Sequence, residues 1–312
     1  MSRPLRIEYP EAFYHITARG NERKDIYRDD RDREQFLSYL ESAVVRYGAA
    51  IQVYCLMGNH YHLLMSTPAG NLAQILRHIN GAYTNYYNSR HRRSGHLFQG
   101  RYRAILVEAD EYAGQLSRYI HLNPVRAGIV SDPKDYSWSS YSAYTGEKRP
   151  PAWLTTKWLL KYFGGRSAQK VYRKFVEAKL DVPEEDPLRE AIGSAILGRW
   201  DFVDEIKEKY LKGRSSDRDL PALATLIRVT PEKIDRKTQQ EFQGKPELVR
   251  KVAIYLCHRF SNVPLREIGN HFSVGESAVS QASRRFQVEL SLDKTLRKKV
   301  EGVRRGLRVC NV

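Results

Sequence analysis

The stretch that most constrains this chain is Tyr54-Cys55-Leu56-Met57-Gly58-Asn59-His60-Tyr61-His62-Leu63-Leu64-Met65. Two apolar, β-prone runs flank a Gly-Asn turn, which predicts a hairpin. Side chains on a strand alternate between faces, so His60 and His62 share one face and Tyr61 takes the other. Two imidazoles so placed can grip one divalent cation, held rigid by the pairing of the strand. A histidine pair on a strand is more often structural than ligating, so the rest of the chain must decide.

Around this hairpin the pattern reads β-α-β-β-α-β-α. A strand is predicted over residues 13–18, ended by Arg19-Gly20-Asn21. A helix capped by Asp29 or Asp30 runs to about Tyr47, with Phe36, Leu37, Leu40 and Val44 at helical spacing and Gly48 as its stop. After the hairpin, Asn71 caps a second helix whose stripe is Leu72, Ile75, Leu76, Ile79 and Tyr83. A strand over 103–107 follows, then a third helix from Asp110 that ends near Asn123-Pro124. The order predicts an α+β fold, an antiparallel sheet with helices on one side, of ferredoxin-like type.

Charge narrows the partner. The 312 residues hold 52 Lys+Arg against 36 Asp+Glu, a formal net charge of +16. Such an excess points to a polyanion, most often nucleic acid, although a merely basic protein is the bland alternative. No Asp or Glu occurs between Glu41 and Glu108, while Arg77, Arg90, Arg92, Arg93, Arg101 and Arg103 interleave with Tyr83, Tyr86, Tyr87, Phe98 and Tyr102. Arginines beside rings make the usual single-strand binding surface, and the window as a whole favours that reading. For any one residue, a tyrosine in the core or a solvated arginine is the commoner fate. The cysteines (Cys55, Cys257 and Cys310) are far apart, which argues against a disulfide framework and fits a reducing cytoplasm. The first residues lack a signal-peptide core, and no 18-residue apolar run occurs, so no membrane partner is expected.

The third helix adds chemistry in Arg118-Tyr119-Ile120-His121-Leu122-Asn123-Pro124-Val125-Arg126-Ala127-Gly128. Tyr119 and Asn123 are four apart and share a face. A phenol and an amide oxygen so placed can meet one metal site, completing a His-His-Asn set. A tyrosine in the core and an asparagine at a helix exit is the plainer account of the helix alone.

Taken together, these residues resemble a family. Gly58-Asn59-His60-Tyr61-His62-Leu63-Leu64 is similar to the His-hydrophobic-His (HUH) motif of the IS200-like single-tyrosine transposases, and residues 118–128 to their nucleophile helix. With Phe98-Gln99-Gly100-Arg101-Tyr102, the wording resembles the REP-associated tyrosine transposases over roughly residues 1–145. The resemblance implies His60, His62 and Asn123 as ligands of Mg²⁺ or Mn²⁺, and Tyr119 as nucleophile. The phenol would take the 5′-phosphate of a cleaved strand in hairpin DNA from repeated palindromes. Arg101, Arg103 and Arg126 are the candidates for phosphate contacts.

The chain beyond this core divides again. Residues 1–147 form the expected nuclease domain, 148–215 a helical connector and 216–312 a DNA-binding domain. Residues 1–150 carry 20 Lys+Arg and 15 Asp+Glu (+5), which leaves 32 minus 21, or +11, for the remainder. Helices predicted over 188–211 and 247–260 flank a linker at Gly213-Arg214-Ser215-Ser216-Asp217. A short helix over 263–272, the turn Ser273-Val274-Gly275 and a helix over 276–286 follow helix-turn-helix grammar. About forty residues here are similar to the DNA-binding domain of the bacterial replication initiator. Ser277, Ser280, Gln281 and Arg284 would then face the major groove of duplex DNA. Two hypotheses stand: a metal-dependent DNA nicking and rejoining enzyme, monomeric or homodimeric, or a non-catalytic sequence-specific DNA-binding regulator.

Overall fold

The computed structural model describes residues 6–180, 186–211, 229–261 and 263–309. It divides into two compact units, Pro4–Arg214 and Ser215–Val312. The expected linker at 213–217 lies outside the described residues. Among the described residues, no helix is long and apolar enough to cross a membrane.

The first unit is built on a five-stranded sheet in the order β2-β3-β1-β4-β5. Its strands are β1 (Ala12–Arg19), β2 (Ala50–Leu56), β3 (His60–Thr67), β4 (Arg103–Val107) and β5 (Ile196–Leu197). The first four pair antiparallel, with Thr17 opposite His62 and also opposite Arg103. β5 joins β4 in parallel and makes the sheet mixed. The sequence reads as helix here, but Gly193 and Ser194 take positive φ. A side chain at Gly198 would also strike Phe202 and Glu108. That close approach keeps the segment extended against β4.

The helices of this unit are α1 (Asp30–Tyr47), α2 (Leu72–Arg90), α3 (Ala109–Arg126), α4 (Tyr141–Thr145), α5 (Lys157–Leu160), α6 (Ala168–Glu177) and α7 (Trp200–Ile206). Asp29 caps α1 by accepting from the Asp32 N–H at 3.1 Å, and Gly48 ends it in the left-handed conformation. Asn71 sits at the start of α2 without capping it; its amide donates to the Tyr47 carbonyl and ties the two helices together.

The fold is α+β as expected, with one correction: helices cover both faces of the sheet. β2 and β3 are buried along nearly their whole length, not on alternate residues, so each face needs a cover. α1 and α2 take the face of Tyr61, which packs on Phe36 and donates to Asn80. α3 takes the opposite face, where Leu116 and Ile120 join Val53, Cys55, Leu64 and Ile105 in one core. The region expected as a connector is packed into this same core through Leu159, Tyr172, Val176 and Leu197.

Both outer edges of the sheet are hydrogen-bonded. Leu56 N–H donates to Trp138 O, Ser140 N–H to Tyr54 O and Thr155 N–H to Ile51 O along β2. On the other side β5 covers β4, taking the N–H groups of Leu106 and Glu108 on the carbonyls of Ala195 and Leu197, and Ile196 of β5 is bonded in turn by Ile192.

The second unit packs α8 (Pro231–Glu241), α9 (Pro246–Leu256), α10 (Leu265–Phe272), α11 (Glu276–Leu292) and α12 (Lys294–Val309) around Ile234, Val252, Leu256, Ile268, Val279, Phe286 and Val303. The α10–α11 corner is tight. A Cβ on Gly269 would stand 2.5 Å from the Val274 carbonyl, and Ser273 turns through the left-handed region at φ +54°.

Candidate active site on the α3 face of the sheet

β3 begins at His60, and the Gly58-Asn59 turn before it is clamped from three sides. Ile26 N–H donates to Gly58 O, Gly20 N–H to Asn59 O, and the Asn59 amide to Arg23 O at 2.9 Å. Strand alternation then places His60 and His62 on the α3 face, with ring centroids 5.0 Å apart. A third imidazole, His15 of β1, lies diagonally across from His62, its Nε2 3.0 Å from His62 Nδ1. From α3, the Tyr119 ring stands edge-on to both, 5.9 Å from His62 and 6.4 Å from His15. The histidine pair of the hairpin and the phenol of α3 thus meet on one face.

Each imidazole is held neutral. Burial lowers His62 well below the usual histidine value, and His15, His60 and Arg19 beside it add to the effect. His15 falls to about 3 by burial and the nearby Arg103, and His60 to about 4 by burial and Arg19. Neutral imidazole is the form that binds metal. The Asn59 side-chain oxygen lies 2.7 Å from His60 Nδ1; an amide oxygen can only accept, so the proton sits on Nδ1 and Nε2 keeps its lone pair. His15 can hold His62 in the same tautomer by accepting from its Nδ1–H. His15 therefore stands behind His62 as its orienting partner.

Among the described residues, no three His, Cys, Asp or Glu side chains converge as a metal site. A cation gripped by His60 and His62 would be completed by oxygens, and that donor set suits Mg²⁺ or Mn²⁺. Asn123, the amide expected from the sequence, lies one turn beyond Tyr119 on α3 and is half-buried. Its Nδ2 donates to Tyr119 O at 2.8 Å. The helix runs past Pro124 to Arg126 rather than stopping at Asn123; the proline costs it one N–H, and the N–H groups of Ala127, Gly128 and Ile129 close its end on the carbonyls of Asn123, Val125 and Pro124.

Three arginines act on the phenol. The Arg126 guanidinium lies 5.1 Å above the Tyr119 ring and also donates to the Tyr119 carbonyl at 3.4 Å. Arg103 starts β4 opposite Thr17, and Arg19 ends β1 opposite His60. Burial raises the Tyr119 pKa and Asp186 adds to it, while Arg126, Arg103 and Arg19 pull the other way. Arg101 is exposed ahead of β4, where its charge acts on the Tyr102 phenol instead. His15 and Arg19 were not singled out from the sequence. The signal was there in the alternation Phe13, His15, Thr17, Arg19, but which face of β1 it lined depends on its register with β3.

Three of the five rings of the acid-free window are a correction, while Tyr86 and Tyr102 are half-buried. Tyr83, Tyr87 and Phe98 are buried, and Tyr83 donates to the Ile26 carbonyl at 2.5 Å. Arg90 is tied to Asp29 and the fully buried Asp32, joining the ends of α1 and α2. These residues hold the α1–α2 layer together and offer bases no stacking platform.

In the second unit, Ser277, Gln281 and Arg284 are exposed along one face of α11, with Ser280 half-buried beside them. Val279, Ser283 and Phe286 point the other way, into the core.

Residues 9–123 match the family model described as IS200-like transposase. Over these residues the first unit is similar to an IS200-like transposase. Beyond the match to this IS200-like domain, the chain is 27% identical over 142 residues to a Haemophilus influenzae protein provisionally named as a REP-associated tyrosine transposase, covering 42% of this chain and 80% of that protein. A solved structure described as a REP-associated tyrosine transposase bound to a REP hairpin is similar over 50% of this chain and 93% of its own, with TM-score 0.43 and 16% identity. The IS200-like match ends at Asn123, so α4 to α7 and β5 are additional to it while belonging to the same compact unit.

Proposed function

We propose that this chain is a metal-dependent single-strand DNA endonuclease and strand-transferase that acts on hairpin DNA through a covalent 5′-phosphotyrosine at Tyr119. The observation that carries the reading is the seating of the Tyr119 ring against the His62 and His15 imidazoles, with Arg126 stacked on it. The IS200-like match supports the reaction class, and the Haemophilus relative, named for REP sequences, supports the substrate class.

His60, His62 and Asn123 would hold Mg²⁺ or Mn²⁺, which supplies charge neutralisation at the scissile phosphate. Arg19, Arg103 and Arg126 hold the phosphate backbone and offset the burial that keeps the phenol protonated. Tyr119 Oη attacks phosphorus in line, and its proton passes to water. The bond to the 3′ oxygen breaks, that oxygen takes up a proton, and the 5′-phosphate stays on Tyr119. A 3′-hydroxyl attacking the phosphotyrosine runs the step backwards and reseals a strand without a nucleotide cofactor.

In this reading residues 1–147 act as the nuclease, 148–215 as its appended helical layer and 216–312 as a duplex-binding helix-turn-helix. One observation favours a second reading, a non-catalytic DNA-binding regulator: the exposed polar face of α11 beside the tight Gly269 corner. Incubating the chain with end-labelled hairpin oligonucleotides and Mn²⁺, then running a denaturing gel, separates the two. A protein-linked band that EDTA abolishes, with the circular dichroism spectrum kept, supports the nuclease. Binding without that band supports the regulator.

A further inference from the structure

α3 shows two working faces. Tyr119 meets the histidines of the sheet, with Asn123 and Arg126 one and two turns further along its stripe, while Gly114, Ser117, Arg118 and His121 follow a second stripe at spacings of three and four. That second stripe packs on the layer appended after the IS200-like match. His121 is fully buried, with Nδ1 2.7 Å from Tyr172 Oη on α6 and Nε2 2.8 Å from Ser140 Oγ at the edge of β2. Ser140 Oγ also accepts from the Tyr54 N–H at 3.0 Å and reaches the Tyr54 carbonyl at 3.3 Å. One arrangement of protons satisfies every group: Tyr172 O–H donates to His121 Nδ1, His121 Nε2–H to Ser140 Oγ, and Ser140 O–H to Tyr54 O. One residue before Tyr119, the Arg118 guanidinium lies 4.2 Å over the Phe175 ring and donates to the Phe175 carbonyl at 3.5 Å.

We infer that the Tyr172–His121–Ser140 relay, with Arg118 on α6, is a clamp that fixes the rotation and height of α3 and so aims the Tyr119 phenol. His121 and Tyr172 are positioning residues for the proposed strand cleavage, and the inference rests on that reading. A buried polar chain is costly unless fully satisfied, and apolar side chains would fill the same space. What a satisfied chain adds is a single geometry, at residues 118 and 121 on either side of the nucleophile. The clamp also ties Tyr119 to residues 168–177 of its own chain.

The test compares the full-length protein with Tyr172→Phe, which removes one hydroxyl and keeps the ring. His121→Asn retains a donor near Nδ1, and His121→Gln retains one near Nε2. With end-labelled hairpin oligonucleotide and Mn²⁺, the single-turnover rate of adduct formation is expected to fall on the order of ten- to a hundred-fold in Tyr172→Phe, with the dissociation constant for the oligonucleotide unchanged. His121→Gln, which keeps the Ser140 contact, recovers part of the rate lost in His121→Asn. Amide hydrogen exchange gives a readout independent of cleavage: protection over residues 118–123 drops while α1 and α2 keep theirs. Unchanged exchange and unchanged rate in Tyr172→Phe, even with a lowered melting temperature, would overturn the clamp. Lowered protection in a protein that makes no adduct, wild type included, would sink the nuclease reading and leave the clamp standing as structure only.

Discussion

The two units use phenols in opposite ways. The chain has twenty tyrosines, and only Tyr255 lies beyond residue 214. In the first unit, buried phenols fasten loops to the core: Tyr14 donates to Ile7 O at 2.8 Å, Tyr136 to Leu56 O at 2.6 Å and Tyr144 to Gln52 O at 2.9 Å. A ring supplies apolar area while its hydroxyl satisfies a carbonyl that water cannot reach. The second unit is held mainly by aliphatic and phenylalanine side chains, buries only small hydroxyls (Thr238, Ser261 and Ser283) among its described polar residues, and sets its larger polar groups outside, as on α11. The first arrangement holds polar groups still inside a low-dielectric core, which favours chemistry. The second presents polar groups to a surface, which favours reading a partner.

Five measurements break or sharpen that contrast. Tyr119→Phe should abolish the covalent adduct, a loss of at least about a thousand-fold, with hairpin binding within about two-fold of wild type. If a gel still shows the adduct, the phenol at the centre of the first unit is not the nucleophile. His15→Leu should weaken Mn²⁺ binding by roughly ten- to a hundred-fold in calorimetry, with His15→Gln in between, because His62 loses its orienting partner. Equal affinities would mean that His62 is oriented by something else. Arg284→Ala should reduce duplex affinity by on the order of ten-fold and leave the rate of hairpin cleavage as it was; a gel-shift titration beside the adduct assay checks both.

Gly269→Ala should destabilise the second unit by about 1–3 kcal/mol, since the added carbon meets backbone at 2.5 Å. All four tryptophans, Trp138, Trp153, Trp158 and Trp200, lie in the first unit, so fluorescence reports that unit alone. The variant should lower a far-ultraviolet transition and leave the fluorescence transition in place.

The smallest effect is alkaline. Burial pushes Tyr54 and Tyr136 up to about 12, while the unfolded chain ionises near 10. A folded value above the unfolded one means that the stabilisation is complete below pH 10 and is lost as pH rises to 12. The fluorescence-detected melting temperature should fall across that window, and less steeply in Tyr136→Phe. A flat profile would count against the buried phenols as fasteners.

Much of the first unit could be read from the chain itself, because its signals are short-range. The turn at Gly58-Asn59 and the alternation around His60 and His62 fix a hairpin face, and a spacing of four fixes Tyr119 with Asn123 on α3. What escaped depends on register and on distance along the chain. His15 meets His62 only once β1 has paired with β3, forty-seven residues away. Tyr172 meets His121 across fifty-one. β5 is two residues long, too short to show a period. The rings at 83, 87 and 98 were visible as aromatic, but composition alone does not say whether a ring faces solvent or α1.

The sealed margins of the sheet bear on how copies of this protein can associate. With β2 bonded along its rim by residues 138–140 and 155, and the two-residue β5 covering β4 and bonded in turn at Ile196 by Ile192, those rims offer a foreign strand few backbone groups to zip onto. Self-association of the first unit, where it occurs, is therefore expected to run through helical or loop surfaces, and crowding or partial damage should favour other routes of clumping than edge-to-edge growth.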